Sequence, residues 1–144
     1  MVRQPDTTAA PPPKPAPVKE TGAMIAAMSP LLTDGVYVFA TLGADEPPQA
    51  LTQAALAQFV EAEGVSLVLP LEVAQRHGFD VSLPMCCITL QVHSALDGVG
   101  LTAAVATALA QADIPCNMVA AFHHDHAFVP QRVAKDALAI LKAL

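Results

Sequence analysis

Apolar and polar positions alternate most regularly in the second half of the chain. Within residues 85–93 every second position is apolar, at Cys86, Ile88, Leu90 and Val92. Because alternate side chains of a strand share one face, this pattern predicts a β-strand with one apolar side. Apolar residues then recur at helical spacing over residues 99–112, at Leu101, Val105 and Leu109. Asp97 precedes this stretch where an N-cap would stand, so we expect it to cap the helix.

Two more strands and a final helix follow this pair. Residues 114–122 and 126–129 predict strands around a polar turn at 123–125, and Pro130 suits the first turn of a helix with apolar positions Val133, Ala137, Ile140, Leu141 and Leu144. The order β-α-β-β-α is that of a ferredoxin-like unit without its fourth strand. Because proteins usually cover a bare sheet edge, we expect Val36–Leu42 or Val65–Leu69 to complete this sheet.

The first half predicts shorter elements. A helix beginning at Glu20 ends near Ser29-Pro30, the two strands just named follow, and a short helix covers Leu71–His77. Between the strands, Thr52 can cap a helix with apolar residues Leu56, Phe59 and Val60, which Gly64 would end. The predicted fold is therefore α+β, a ferredoxin-like antiparallel sheet with helices on one face and two intertwined units.

The domain organisation follows from these elements and from the proline content. Residues 1–18 contain six prolines and little apolar material, so residues 1–19 are expected to form a disordered, partly polyproline II tail. Residues 20–80 form the first predicted unit and residues 81–144 the second.

Composition then excludes several functions. The chain has 144 residues and a formal charge of −6, so it lacks the clustered basic residues that nucleic acids or anionic lipids require. The N-terminus has no signal-peptide h-region, and no apolar run approaches the ~20 residues of a spanning helix. The three cysteines, Cys86, Cys87 and Cys116, fit neither a disulfide framework nor a zinc ribbon. We expect free thiols in a soluble, cytoplasmic protein.

Three stretches of the second half carry a family resemblance: Leu90–Ala104, Ile114–Met118 and His124–Pro130, joined upstream by Glu61–Pro70. They resemble short bacterial proteins made of two ACT-like domains, over about residues 23–144. The C-terminal part is similar to the ACT modules of aspartate kinases and of a eukaryotic arginine sensor. The resemblance implies a ferredoxin-like fold, binding of an amino acid or another small metabolite, and frequent homodimerisation. It also implies that the loop after the first strand holds the ligand.

The predicted topology brings that loop beside the histidine turn, because the strand from Met85 runs antiparallel to the strand from His126. Gly98 and Gly100 would let a ligand approach the backbone, Ser94 and Thr102 offer hydroxyls, and Asp97 could meet an ammonium group or serve only as an N-cap. The candidate ligand-binding residues are His93, Ser94, Asp97, Gly98, Val99, Gly100, Leu101, Thr102, Asn117, His124, Asp125 and His126.

Two alternatives stay open beside the metabolite sensor. His93, His124 and His126 could form a three-ligand metal site of a small metal-dependent enzyme, although no HExxH motif supports this. The chain could also be an interaction module that uses its sheet edge for dimerisation. Because no nucleophile elbow, P-loop or GxGxxG motif is present, we expect no enzyme, no catalytic residue, no cofactor and no metal.

Overall fold

The computed structural model describes residues 16–43 and 47–144. Within these ranges the chain forms five α-helices, seven β-strands and one 3-10 turn at Gln131–Val133. In chain order the helices and strands are α1 (Thr21–Ala27), β1 (Pro30–Leu32), β2 (Tyr37–Leu42), α2 (Gln49–Ala54), β3 (Ala57–Glu61), β4 (Gly64–Pro70), α3 (Leu71–Arg76), β5 (Met85–Leu90), α4 (Leu101–Gln111), β6 (Asn117–Ala120), β7 (Asp125–Pro130) and α5 (Ala134–Lys142).

All described strands belong to one antiparallel sheet of order β3-β4-β2-β5-β7-β6, with β1 paired to β5 beside β2. The C-terminal unit β5-α4-β6-β7-α5 receives its fourth strand from β1, where Leu32 pairs with Ile88. The N-terminal unit β2-α2-β3-β4-α3 is flanked in turn by β5, through the pair Tyr37–Met85. The predicted exchange between two intertwined units is therefore confirmed. The strand expected to complete the C-terminal sheet was predicted wrongly. Strand β1 takes that place, β2 contributes only the pair Tyr37–Met85, and Val65–Leu69 lies in β4, which pairs with β2 and β3.

The helices cover one face of the sheet. Beneath α1, α4 and α5 lies a core whose fully buried members include Ile88, Leu90, Val105 and Leu109, and a second core lies beneath α2 and α3. Each large aliphatic side chain buried there contributes about 1.5–3 kcal/mol through removal of apolar surface from water. Both units therefore bury most of their apolar side chains on the same side of the sheet, beneath the helices.

The opposite face carries no helix from the described residues, and here the sheet curls upon itself. Val68, Met85, Cys87 and Phe128 form a buried cluster on this face, against which Tyr37, Ala57 and Val119 pack. Ala57 lies in β3 and Val119 in β6, the two outermost strands of the main path. Because both outer strands reach the same cluster, the helix-free face is concave.

The helix predicted after Thr52 is wrong. Helix α2 ends at Ala54, and Ala57–Glu61 is strand β3, which forms a hairpin with β4 through the pair Glu61–Gly64. The apolar residues Phe59 and Val60 fit helical spacing, but both are also good strand formers, and the pairing with β4 decides between the two structures.

Several element ends also differ from prediction. Strand β5 ends at Leu90, β6 covers only Asn117–Ala120, and α4 begins at Leu101 with Gly100 at its N-cap. The predicted N-cap role of Asp97 is therefore wrong.

Disorder stays a prediction for residues 1–15, which lie outside the described residues. Val18 and Lys19, which were assigned to that tail, instead contact the loop after β5. In the described ranges, no helix combines the length and apolar character needed to span a bilayer.

Candidate ligand-binding site

The loop after β5 and the turn before β7 meet at one end of the sheet, as predicted from the topology. Asp125 pairs with Leu90 of β5 on one side and with Ala120 of β6 on the other. A cavity of about 140 Å³ opens here between loop, turn and α4. Six of the predicted residues line it: Ser94, Gly98, Gly100, Leu101, Thr102 and Asp125.

The beginning of α4 forms one wall of the cavity. Gly100 occupies the N-cap with φ +103°, a left-handed conformation that glycine adopts without steric cost, and no side chain caps the first turn. The N–H groups of the first turn have no intrahelical acceptor, and they carry the positive end of the helix dipole. The hydroxyl-bearing residues Ser94 and Thr102 line the same cavity. This wall is suited to an anionic group such as a carboxylate.

Asp125 provides a negative group in the same cavity. The residue is only 8% exposed, and burial raises the pKa of its carboxyl above the ordinary value, although neighbouring His126 and His124 act in the opposite direction. A carboxylate in such a place is costly to ionise without a partner, so a bound cation would stabilise its charged form. The cavity therefore places a wall suited to an anion beside a carboxyl group whose charged form a cation would stabilise.

The N-terminal segment of the described chain covers this site. Val18 donates its N–H to the His93 carbonyl (2.8 Å) and accepts from the Ala95 N–H (2.9 Å). The hydroxyl of Thr21 donates to the Val99 carbonyl, and Met24, 1% exposed, forms part of the cavity lining. Helix α1 is thus part of the site, although it lies far away in the sequence.

Asp97 lies outside the cavity lining and is engaged by the same N-terminal segment. Its Oδ2 atom is 2.6 Å from Lys19 Nζ, and this hydrogen bond holds the pKa of the Asp97 carboxyl below its usual value. Both side chains are well exposed, so the ion pair contributes little to stability. Asp97 was expected either to meet the ammonium group of a ligand or to cap α4. In the structure the ammonium group beside it is that of Lys19.

The remaining predicted residues do not line the cavity. Val99 is exposed, and the ring of His93 lies 6.1 Å from that of His123. His124 Nδ1 is 3.4 Å from the Val92 carbonyl oxygen. His126 lies on the concave face, where its Nδ1 is 3.0 Å from Thr89 Oγ1. Asn117 lines a separate cleft beside Phe39 and Met85.

The histidines do not form the metal site of the alternative hypothesis. Across residues 16–43 and 47–144, no three His, Cys, Asp or Glu side chains are grouped so that they could hold a metal ion. His126 and Asp125 are neighbours on β7, so their side chains point to opposite faces of the sheet. The described residues therefore give the metal-dependent enzyme no support.

Sequence reasoning missed four residues of the cavity lining: Met24, Ala95, Leu96 and Ala120. Ala95 and Leu96 lie inside the predicted ligand-binding loop, so only their position between Ser94 and Asp97 could have indicated that they line the cavity. Met24 lies on the apolar face of the predicted first helix, but the sequence around it does not indicate which part of the chain that face packs against. A larger cleft of about 660 Å³ lies beside Gln49, Thr52 and Gln58, but its lining within the described residues includes no ionisable side chain.

Fold and site together define a regulatory module that binds a small ligand. Two family models, both described as ACT domain, match residues 16–85 and 82–143. The chain belongs to the ACT-domain family and contains two ACT domains. ACT domains typically serve regulation by binding small ligands.

Solved structures agree with this assignment. A Vibrio cholerae protein of unknown function, described as a possible transport protein, is 41% identical, covers 83% of this chain and 91% of its own, and has a TM-score of 0.74. An Agrobacterium tumefaciens protein is 20% identical over 81% of this chain and 87% of its own, with a TM-score of 0.63.

A third structure, the regulatory subunit of aspartate kinase from Thermus flavus, is 12% identical over 81% of this chain and 95% of its own, with a TM-score of 0.57. The last two likenesses show the fold alone. None of the curated proteins compared with the chain matches it.

Proposed function

We propose that this protein is an amino-acid sensor whose ligand binds in the cavity between the β5–α4 loop, the turn before β7 and α1. The observation that carries the proposal is the pairing of opposite groups in one small cavity. A buried carboxylate, Asp125, lines the same space as the uncapped N-terminus of α4. An amino acid carries the complementary groups, an ammonium and a carboxylate, a short distance apart.

Each end of the ligand has a partner in this proposal. Asp125 accepts hydrogen bonds from the ammonium group, and the first N–H groups of α4 donate to the carboxylate together with the hydroxyls of Ser94 and Thr102. Gly100 lets α1 pack closely against the beginning of α4, since a Cβ at Gly100 would stand 2.6 Å from Thr21 Oγ1. The cavity holds about 140 Å³, roughly the space of four or five water molecules at ~30 Å³ each. This volume favours amino acids with small side chains.

A thermal-shift titration of the purified protein against the twenty amino acids tests this proposal. A ligand present at ~100 times its dissociation constant should stabilise the protein by about 2.7 kcal/mol, which is readily measured for a domain of this size. We expect a saturable response to one or a few small amino acids. Silence with all twenty would overturn the amino-acid assignment.

Thr102→Val tests whether the responding amino acid binds in this cavity. The substitution keeps the shape of the side chain but removes the hydroxyl, so the affinity for the responding amino acid should fall about tenfold through loss of one charge-assisted hydrogen bond. Thr107→Val is the matched control, because Thr107 is exposed on the same helix and does not line the cavity. Equal affinities of both variants by calorimetry would place the ligand elsewhere.

We propose further that the protein is a homodimer joined through β3. This strand is an outer strand of the sheet, and within the described residues nothing pairs with its outer side. Phe59 is 69% exposed and Val60 74%, so both faces of an open strand edge are apolar. Such an edge is a template for pairing with a second chain. Antiparallel pairing of two β3 strands would continue the sheet across both copies.

The double variant Phe59→Lys/Val60→Lys should convert the dimer into a monomer, because it places like charges at the paired edge. Both side chains are exposed in the single chain, so the stability of the monomer should change by no more than about 0.5 kcal/mol. Phe122→Lys, also at an exposed apolar position but beyond the other end of the sheet, is the control. Light scattering over a concentration series measures the mass. A monomeric wild-type protein or a dimeric double variant would contradict the proposed interface.

A cytoplasmic location is part of the same proposal. It is supported by the three cysteines, which are all free in the structure, because unpaired thiols are typical of a reducing compartment.

A further inference from the structure

The concave, helix-free face of the sheet holds another, partly open space, which we call the concave-face cavity. Its volume is about 200 Å³. Tyr37, Leu56 and Ala57 of the first ACT domain form one side, and Val119 and Phe128 of the second form the other. The cavity therefore lies where the two domains meet, on the face of the sheet opposite to α1 and α4.

The lining is mostly apolar, and its polar side chains include the hydroxyls of Thr33 and Tyr37 and the close pair of His126 and Thr89. The Thr33 hydroxyl donates to the Cys87 carbonyl. His126 Nδ1 is 3.0 Å from Thr89 Oγ1, and Cys87 Sγ is 3.9 Å from the same nitrogen. Whichever tautomer His126 adopts, the contact with Thr89 leaves Nε2 to donate or accept one further hydrogen bond. In the hydrogen bonds of the described residues, Nε2 has no protein partner.

The lining provides no charge to balance a charged ligand. None of the described lining residues is Asp, Glu, Lys or Arg. Burial and the nearby His124 lower the pKa of His126, although Asp125 partly opposes this, so the environment favours the neutral imidazole. Burial likewise raises the pKa of the Tyr37 phenol, which stays protonated. A charged ligand would lose its hydration here without gaining a counter-ion, which is strongly unfavourable.

We propose that the concave-face cavity is a second ligand site, for a compact, uncharged, apolar molecule that carries one hydrogen-bonding group. The apolar body of the ligand packs against Phe128, Val119 and Leu56, and its polar group meets His126. The size fits a single ring with a small substituent, because an apolar cavity of about 150 Å³ is known to accept benzene. Leu56, 52% exposed, stands at the rim and can move to admit the ligand.

Phenol is a suitable probe, since it is uncharged at neutral pH, has one ring and carries one hydroxyl. Titration of the isotope-labelled full chain, followed through the methyl signals of Leu56, Thr89 and Val119, should give saturable shifts confined to this cavity. Toluene lacks the hydroxyl and should bind about fivefold more weakly, as expected for loss of one hydrogen bond. Benzoate, which is charged, should bind at least tenfold more weakly than phenol.

Two variants distinguish the contribution of the hydrogen bond to phenol affinity from the contribution of the cavity volume. His126→Leu should reduce the affinity for phenol to that for toluene while leaving toluene binding unchanged. Val119→Phe should fill the cavity and weaken both ligands at least tenfold, and it remains informative if His126→Leu does not fold. The matched control is Val99→Phe at an exposed position outside the cavity, which should change neither affinity.

Several outcomes would overturn the proposal. Shifts spread over other surfaces, tighter binding of benzoate than of phenol, or unchanged phenol binding in Val119→Phe would each do so. Methyl shifts that respond to dilution of the protein but not to phenol would show that a second copy of the chain fills the cavity. The test is independent of the amino-acid proposal, because phenol shifts should persist when the responding amino acid is saturating and in Thr102→Val.

Discussion

Replacing Asp125 with asparagine is expected to remove the response to amino acids and to make the free protein more stable at neutral pH. In our proposal Asp125 is the partner of the ligand's ammonium group, and removal of one member of a buried charge pair costs about 2–5 kcal/mol. The affinity should therefore fall about 100-fold or more. Calorimetry with the amino acid that binds the wild-type protein measures this loss.

The gain in stability has a defined pH dependence. Burial raises the pKa of Asp125 above its ordinary value of 3.8, so the folded state favours the protonated carboxyl. As the pH rises from that value through the raised pKa, the wild-type protein loses stability that an uncharged asparagine retains. The advantage of Asp125→Asn in free energy of unfolding should grow over this interval and then stay constant. Urea unfolding of both proteins at a series of pH values without ligand measures it.

Asp97→Asn is the matched control, because it makes the same chemical change at the neighbouring carboxylate that the sequence favoured. This residue is exposed, paired with Lys19 and outside the cavity lining, so the variant should keep the ligand response. A lost response in Asp97→Asn together with a retained response in Asp125→Asn would assign the ammonium group to Asp97 instead.

Gly64→Ala should give the largest loss of stability among the glycine variants, about 3 kcal/mol. Gly64 has φ +144°, and a Cβ added there would stand 1.9 Å from the backbone oxygen of Leu42. No side-chain rotation can relieve a contact with backbone, so β2 and the β3–β4 hairpin would have to separate locally. Backbone strain and overpacking each cost about 1–3 kcal/mol. Urea unfolding followed by circular dichroism measures the change.

Gly78→Ala separates these two causes. Gly78 also has a left-handed backbone, with φ +74°, but a Cβ there would meet nothing within 4 Å. This variant should lose only the backbone term, about 1–2 kcal/mol. Equal losses in the two variants would mean that the contact with Leu42 is relieved at no cost.

The sequence predicted those elements whose pattern is decided locally. Strand β5 and helix α4 follow directly from alternation and from the helical spacing of Leu101, Val105 and Leu109. Helix α4 is buried on one side only, whereas β5 is buried on both faces of the sheet. The segment after Ala54 was predicted wrongly, because the helical spacing of Phe59 and Val60 suggested a buried helix face. Both are exposed on an outer strand, and their pairing with β4 is a tertiary property.

The candidate site shows the same division. The residues of one continuous stretch, from Ser94 to Thr102, could be placed near Asp125 from the strand order alone. The position of Met24 in the cavity lining and the ion pair between Lys19 and Asp97 depend on contacts between distant parts of the chain, so no local sequence pattern predicts them. Asp125 and His126 are both predicted ligand contacts, but β7 begins at Asp125, so the two side chains lie on opposite faces of the sheet and only Asp125 lines the cavity.

The position of β1 and α1 has a consequence for synthesis on the ribosome. The segment that is made early, from Val18 to Leu32, packs against β5, α4 and α5, which are made late. At ~5–20 residues per second, roughly 4 to 17 s pass between translation of Met24 and of Leu109 in α4. During this interval Met24, Ile25 and Leu32 have no partners to cover them. The nascent chain therefore presents an apolar segment that chaperones can hold until the second domain is complete.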